Sequence, residues 1–162
     1  MIIILISPEE VIEAKRLTEQ FDKQKSYNKF ECKHNYIGVL GELVLHRYLK
    51  EQSITHTWVE FLKDSWNKPD FLINDKTVDL KTTRGKEMWF QQPKFDIYIH
   101  AVIEEGDELM VLEAYSTSDE LNIGILTGVI DTVTRDNRVD HVIKPEYMNC
   151  IWSKEDLKWK TN

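Results

Sequence analysis

This sequence predicts a single α/β domain, on three observations. Apolar residues recur with helical spacing in the first third of the chain. From about residue 57 the pattern changes to short and alternating apolar runs, the period of strands. Polar turn chemistry, and no linker, joins these runs. At 162 residues, with 41% hydrophobic and 10% aromatic content, the chain can bury a real core, and a disordered chain is excluded. No internal repeat or low-complexity tract divides it. We therefore expect one domain over 1–162, with a core at 36–115, a helical segment at 7–34, and a strand and helix extension at 120–160.

The elements follow in order. Ile2-Ile3-Ile4-Leu5-Ile6 is too short to span a membrane and lacks the basic leader and small-residue cleavage site of a signal peptide. It reads as a buried strand in a soluble, cytoplasmic protein without membrane association. Ser7-Pro8-Glu9-Glu10 is a helix start, with a Ser cap, Pro at the first helical position and acidic residues in the first turn; the helix runs to about Gln24. Lys23, Lys25, Lys29, Lys33 and His34, interleaved with Tyr27 and Phe30, suit a solvated connector, with a DNA-contacting loop as the alternative. A second helix is marked by Ile37, Leu40, Gly41, Val44, Leu45, Tyr48 and Leu49, with Asn35 as its cap. Gly38 and Gly41 each cost such a helix about 1 kcal/mol relative to Ala, so close approach of a backbone or ligand is expected there. Glu42 lies at the edge of the apolar stripe, between core and solvent. His46, one turn on, reads as a surface histidine.

Strands follow. Thr57 to Phe61 is one. Phe71-Leu72-Ile73, the polar Asn74-Asp75-Lys76 and the alternating Thr77 to Thr83 form a tight hairpin. Met88 to Gln91 is short structure of either type. Asp96 to Ile103 and Leu109 to Tyr115 pair across the Glu104-Glu105-Gly106-Asp107 turn. Ile123 to Val133 reads as a further strand, and Ser153 to Trp159 as a capping box opening a short helix.

Charge and cysteine content narrow the function. The net charge is -7, which disfavours non-specific nucleic-acid binding. Residues 1–100 carry 15 Lys/Arg and 15 Asp/Glu, however, whereas residues 101–162 carry 6 and 13. The acidity therefore lies downstream of the hairpin, and a DNA site within the first part is not excluded. Cys32 and Cys150 have no C-x-x-C spacing and cannot supply an iron–sulfur cluster or zinc ribbon; free thiols in a reducing cytosol are expected. The tryptophans Trp58, Trp66, Trp89, Trp152 and Trp159 read as core or interface residues.

The hairpin carries the chemistry. Residues two apart on a strand share a face, so Asp79 and Lys81 lie together while Val78 and Leu80 face the core. A turn centred near Asp75 brings Asp70 close to Leu80. Two converging carboxylates suit a hard divalent cation, and a neighbouring lysine can hold a water or a phosphate oxygen.

Gly41-Glu42 on a helix, Pro69-Asp70 on the first hairpin strand and Asp79-Leu80-Lys81 on the second together resemble the PD-(D/E)XK nuclease superfamily, in particular its small phage, restriction-type and Holliday-junction-resolving members. The resemblance covers about residues 36 to 103. It implies a restriction-endonuclease-like fold, a central mixed β-sheet flanked by helices, and a Mg²⁺-dependent DNA endonuclease, with Mn²⁺ as substitute and no nucleotide cofactor. It further implies Asp70 and Asp79 as metal ligands together with the Leu80 carbonyl, and Glu42 binding directly or through water. Lys81 would orient the attacking water or stabilise the transition state; flanking carboxylates push its pKa upward, which disfavours a role as base. Thr83, Arg84 and Lys86 would grip flanking phosphates, with loop solvation as the alternative, and Gln91 and Gln92 read as structural, with contact to DNA or the nucleophile as the alternative. Cutting both strands or resolving a junction needs two active sites, hence a homodimer. The alternatives are an exonuclease acting on ends and a non-catalytic acidic binding or assembly protein, the latter motivated by the acidic last 62 residues.

Overall fold

The computed structural model describes residues 1–24, 32–59, 68–135, 138–151 and 153–157. Its chain order is β1 (Ile2–Leu5), α1 (Pro8–Gln24), α2 (Cys32–Glu51), β2 (His56–Trp58), β3 (Phe71–Ile73), β4 (Lys76–Thr83), β5 (Met88–Phe90), β6 (Ile97–Ile103), β7 (Leu109–Thr117), α3 (Ser118–Thr127), β8 (Asp131–Arg135), β9 (Arg138–Ile143) and β10 (Asn149–Cys150). A seven-stranded sheet has the order β1-β7-β6-β4-β3-β2, with β10 also on β7; a three-stranded sheet has the order β5-β9-β8. The β4–β6 pair is parallel and the other pairs are antiparallel. The fold is thus a single α/β domain with a mixed sheet flanked by helices.

The sequence explains the elements that lie around β4. In the β3–β4 hairpin, Asn74 (φ 47°) and Asp75 (φ 65°) occupy the two-residue turn. Positive φ at both positions is what a type I′ turn requires, and Asn and Asp tolerate it better than other non-glycine residues. Ile73 therefore pairs with Lys76 and Phe71 with Val78. The parallel pairing of β4 with β6 is pinned at its start, where the Thr77 amide and hydroxyl donate to Asp96 at 2.8 and 2.7 Å.

Helices α1 and α2 cover one face of the large sheet. Ala14 and Leu17 of α1 and Val39, Leu40, Val44, Leu45 and Leu49 of α2 join Ile2, Ile4, Phe71, Ile73, Val78, Leu80, Ile99, Ala101, Met110 and Leu112 in one apolar cluster. A second, smaller cluster on the other face joins Met88, Phe90, Tyr98, Ala114, Leu121, Ile130, Ile143 and Met148. Leu112 and Ala114 fall in different clusters although they are two apart, because the β6–β7 register shifts between His100 and Ala101. A bulge turns the strand so that both faces are served.

Several expectations need correction. The strand β1 is at the sheet edge, and only its even residues are buried; Ile3 is 64% and Leu5 74% exposed. An unbroken run of apolar residues carries no alternation from which this could be read. Helix α2 starts at Cys32, so Asn35 lies inside it. The stretch from Ile123 begins in α3 and reaches a strand only at Asp131. The reason is a capping box: the Glu120 amide donates to Thr117 Oγ1 at 3.2 Å and the Thr117 amide to Glu120 Oε2 at 2.8 Å. Gly128 at φ 74° closes the helix. The C-terminal helix is one 3₁₀ turn, Lys154–Leu157. The opening of α1 is as expected, with Ser7 and Glu10 bonded reciprocally at 2.8 and 3.2 Å. The basic segment 25–31, the end of the strand predicted to Phe61, and Trp66, Trp152 and Trp159 lie outside the described residues. Among the described residues no helix is long and apolar enough to cross a membrane.

The two glycines of α2 differ. A Cβ on Gly41 would sit 2.0 Å from Thr82 Oγ1 and 2.8 Å from Thr82 Cβ, whereas one on Gly38 would meet nothing within 4 Å. Only Gly41 marks a close approach. Gly41→Ala is therefore expected to destabilise the protein by about 1–3 kcal/mol through overpacking, and Gly38→Ala to stabilise it by up to about 1 kcal/mol through helix propensity. Chemical denaturation of the two variants checks this; equal effects would contradict the assignment.

Candidate active site

The approach of α2 to β4 places Glu42 beside the hairpin. Glu42 is only 6% exposed, not poised at a boundary, and Asp79 is equally buried. The Trp58 indole Nε1–H donates to Glu42 Oε2 at 3.0 Å. Asp70, just before β3, accepts at Oδ2 from the Leu80 amide at 2.7 Å, which is the proximity expected from the turn. Its own carbonyl accepts from the Val59 amide at 2.9 Å. Lys81 Nζ lies 2.6 Å from Asp79 Oδ2, with about a third of its side chain exposed. The Leu80 side chain is buried in the core, so this residue can offer the site only its backbone.

These four side chains sense one another. Burial pushes the Glu42 carboxyl up to about 7; the Trp58 hydrogen bond opposes this, Asp79 adds to it and Lys81 opposes it. Asp70 is raised well above the ordinary carboxylate range by burial first, then by the charges of Glu42 and Asp79, against Lys81 and the Leu80 amide. For Lys81, burial favours the neutral amine. The Asp79 charge and hydrogen bond, with Asp70 and Tyr98, outweigh burial and hold the ammonium above its usual range. A lysine kept charged is suited to orienting a water or a phosphate oxygen, not to abstracting a proton.

Among the described residues no three His, Cys, Asp or Glu side chains converge closely enough to cage an ion. Glu42, Asp70 and Asp79 each turn one oxygen to a donor of the protein itself. Their donor chemistry nonetheless fits a hard divalent cation. All three offer carboxylate oxygens, and three ionised carboxylates against one ammonium leave a net charge of -2 in a buried place.

The residues expected to grip phosphate are placed less favourably. The Thr83 hydroxyl donates to the Gly85 carbonyl at 2.7 Å and accepts from its amide at 3.0 Å. Arg84 donates to the Glu104 carbonyl at 2.7 Å and ion-pairs with Asp107, which also accepts from Tyr36. Its guanidinium thus ties the end of β4 to the β6–β7 turn. Lys86, Gln91 and Gln92 are exposed.

The sequence reading missed three neighbours. Trp58 packs against the core, as expected, and its indole also donates to Glu42. His46 is half-buried, with Nδ1 3.0 Å from His56 Nε2, and its ring lies 5.1 Å from that of Trp58. His100 is fully buried and pairs in register with Lys81; its Nδ1 is 3.3 Å from Glu113 Oε2, and burial lowers it to about 4, which keeps it neutral. The four-residue spacing of Glu42 and His46, one helical turn, was a usable signal for His46. Nothing local announces His56 or His100, because His56 meets His46 of α2 and His100 meets Glu113 of the neighbouring strand.

A pH dependence follows. The folded Glu42 carboxyl titrates near 7, above its ordinary 4.5, and Asp70 is shifted the same way. Between these values the folded protein binds more protons than the unfolded chain, so this site's contribution to stability is full below about pH 4.5 and is lost as pH rises through about 7. The melting temperature of the metal-free protein should accordingly carry a component that falls over that window. Mg²⁺ or Mn²⁺ should raise the melting temperature more at pH 8 than at pH 5.5, because protons compete for the same oxygens. Equal stabilisation at both pH values would contradict this.

No protein-family model matches this chain, and neither curated proteins nor solved structures match it significantly.

Proposed function

We propose that this protein is a Mg²⁺-dependent deoxyribonuclease of the PD-(D/E)XK kind, hydrolysing phosphodiester bonds endonucleolytically. The observation that carries the reading is the meeting of buried Glu42 and Asp79 with half-buried Asp70 and Lys81 in one cluster. A hydrophobic domain gains nothing in stability from a cluster of carboxylates in which Glu42 and Asp70 are pushed up by burial and by their neighbours' charges. Such strain is a mark of sites built for chemistry.

Phosphodiester hydrolysis builds negative charge on the phosphorus centre and on the leaving oxygen. A bound divalent cation would offset that charge and acidify water. Glu42, Asp70 and Asp79 would hold it, with the Leu80 carbonyl as a further donor. Lys81, kept protonated by Asp79, has an ammonium to hold the attacking water in line or to bind a phosphate oxygen. Burial of the carboxylates strengthens each of these interactions over its value in water. Lys86, exposed just beyond β4, can meet a flanking phosphate; Arg84 can do so only by leaving Asp107. Cutting both strands of a duplex or resolving a branched junction calls for a homodimer in the cytoplasm, with one cluster for each strand.

Asp79→Ala and Lys81→Ala should each lower cleavage by about a hundred- to a thousand-fold while circular dichroism shows an intact fold. Asp79→Ala should not lower the unfolding free energy by more than about 1 kcal/mol, since it removes a charge that works against the Glu42 and Asp70 carboxylates. The assay is a panel of four-way junction, linear duplex, closed circular duplex, single strand and RNA, with Mg²⁺, Mn²⁺ or EDTA. Cleavage of linear but not closed circular DNA would replace the endonuclease with an exonuclease. Undiminished cleavage by either variant would sink the active-site assignment, and calorimetry showing no Mg²⁺ or Mn²⁺ binding would favour a non-catalytic acidic binding protein.

A further inference from the structure

We propose that Trp58 is a positioning residue of this site: its indole N–H holds one oxygen of Glu42 so that the other faces the cation, and the His46–His56 pair fixes the indole plane. The proposal rests on the metal-dependent reading above and extends it to residues outside the carboxylate–lysine set.

The geometry begins at the Ile54 carbonyl, which lies 2.8 Å from His56 Nδ1. A carbonyl only accepts, so Nδ1 carries a proton, and in a ring with one proton His56 Nε2 is then an acceptor. His46 Nδ1, 3.0 Å away, must then donate to it. Both rings are locked in tautomer and orientation by this one-way chain. The His46 ring packs against the Trp58 indole with centroids 5.1 Å apart and planes at 31°, and against His56 at 5.0 Å and 68°. The indole is therefore held by rings whose own orientation is fixed. Trp58 Nε1 can only donate, and it donates to Glu42 Oε2 at 3.0 Å.

The backbone of the same strand serves the second acid. Trp58 pairs with Phe71, and the next amide, Val59, donates to the Asp70 carbonyl at 2.9 Å. Two consecutive residues at the end of β2 thus fix Glu42 through a side chain and Asp70 through the main chain. A merely structural tryptophan needs a partner for its N–H, but that partner is ordinarily a carbonyl or water. A nearly buried carboxylate already facing Asp70, Asp79 and Lys81 is a poor choice for structure alone. It is a good one for holding a ligand carboxylate in place, the role that hydrogen-bonding partners of metal ligands commonly have.

The test is Mn²⁺ and Mg²⁺ binding by calorimetry to the wild type, Trp58→Phe, Glu42→Gln and the double variant. Trp58→Phe keeps an aromatic ring and removes the N–H donor. Its dissociation constant should rise about 10- to 100-fold, and once Glu42 is Gln the same change should have little further effect. Trp58→Phe binding with wild-type affinity, or the two changes adding independently, overturns the proposal. A second readout needs no fold-sensitive variant at the tryptophan: the Trp58 indole ¹H–¹⁵N signal of the wild type should shift on Mg²⁺ addition, and that response should vanish in Glu42→Gln. An unresponsive signal while calorimetry records binding also overturns it. A wild type that binds neither ion refutes the metal-dependent reading itself, an outcome distinct from a wild type that binds and a Trp58→Phe that binds as well.

Discussion

The close passage of α2 over β4 at Gly41 and Thr82 is the constraint on which the rest depends. A helix normally stands off a sheet by the thickness of its side chains. Here one residue without a Cβ lets the helix backbone come down onto a threonine of the central parallel strand. The next residue in the helix is Glu42, and the neighbouring odd positions of the strand are Asp79 and Lys81. The contact that sets the helix height also sets the distance between the acid of one element and the acid and lysine of the other. The apolar residues around it, Leu40, Val44 and Leu45 from the helix and Val78 and Leu80 from the strand, make that height energetically steep.

The same packing creates an electrostatic debt that the fold leaves partly open. Each of the three acids has one donor from the protein, respectively an indole, an amide and an ammonium. Against the loss of hydration these are not enough, so Glu42 and Asp70 retain a high affinity for protons. A place that holds protons this firmly at neutral pH is also a place where a more highly charged ion gains by replacing them. Its neighbour His100 is buried without charge beside Lys81, so the lysine stays the cation of this patch of sheet.

Much of this was legible in the residues. Alternation over Thr77 to Thr83 and the polar pair Asn74-Asp75 gave the hairpin and its frame, since both are local properties. Glycine in a well-formed apolar stripe pointed to Gly41, though the same rule misassigned Gly38, which packs against nothing. Helix α3 was misread because Ile123, Ile125, Leu126, Val129 and Ile130 look apolar enough for a strand, and the Thr117–Glu120 capping box preceding them is the stronger local signal. The burial of Glu42 and the parts played by Trp58, His46 and His56 were not legible. They depend on how β2 meets α2, a contact between segments with no pattern of their own at the joining point.

The two-residue turn at Asn74-Asp75 bears on how such a chain can vary. Because side chains on a strand alternate with a period of two, adding or losing one residue between Asp70 and Asp79 would exchange Asp79 and Lys81 with Val78 and Leu80 across the sheet. The acids would enter the core and the core residues would enter the site. Substitutions within the turn leave that parity untouched, whereas a change of length reverses it everywhere downstream at once. The hairpin therefore tolerates exchange among the few residues that accept positive φ at 74 and 75, and none in length.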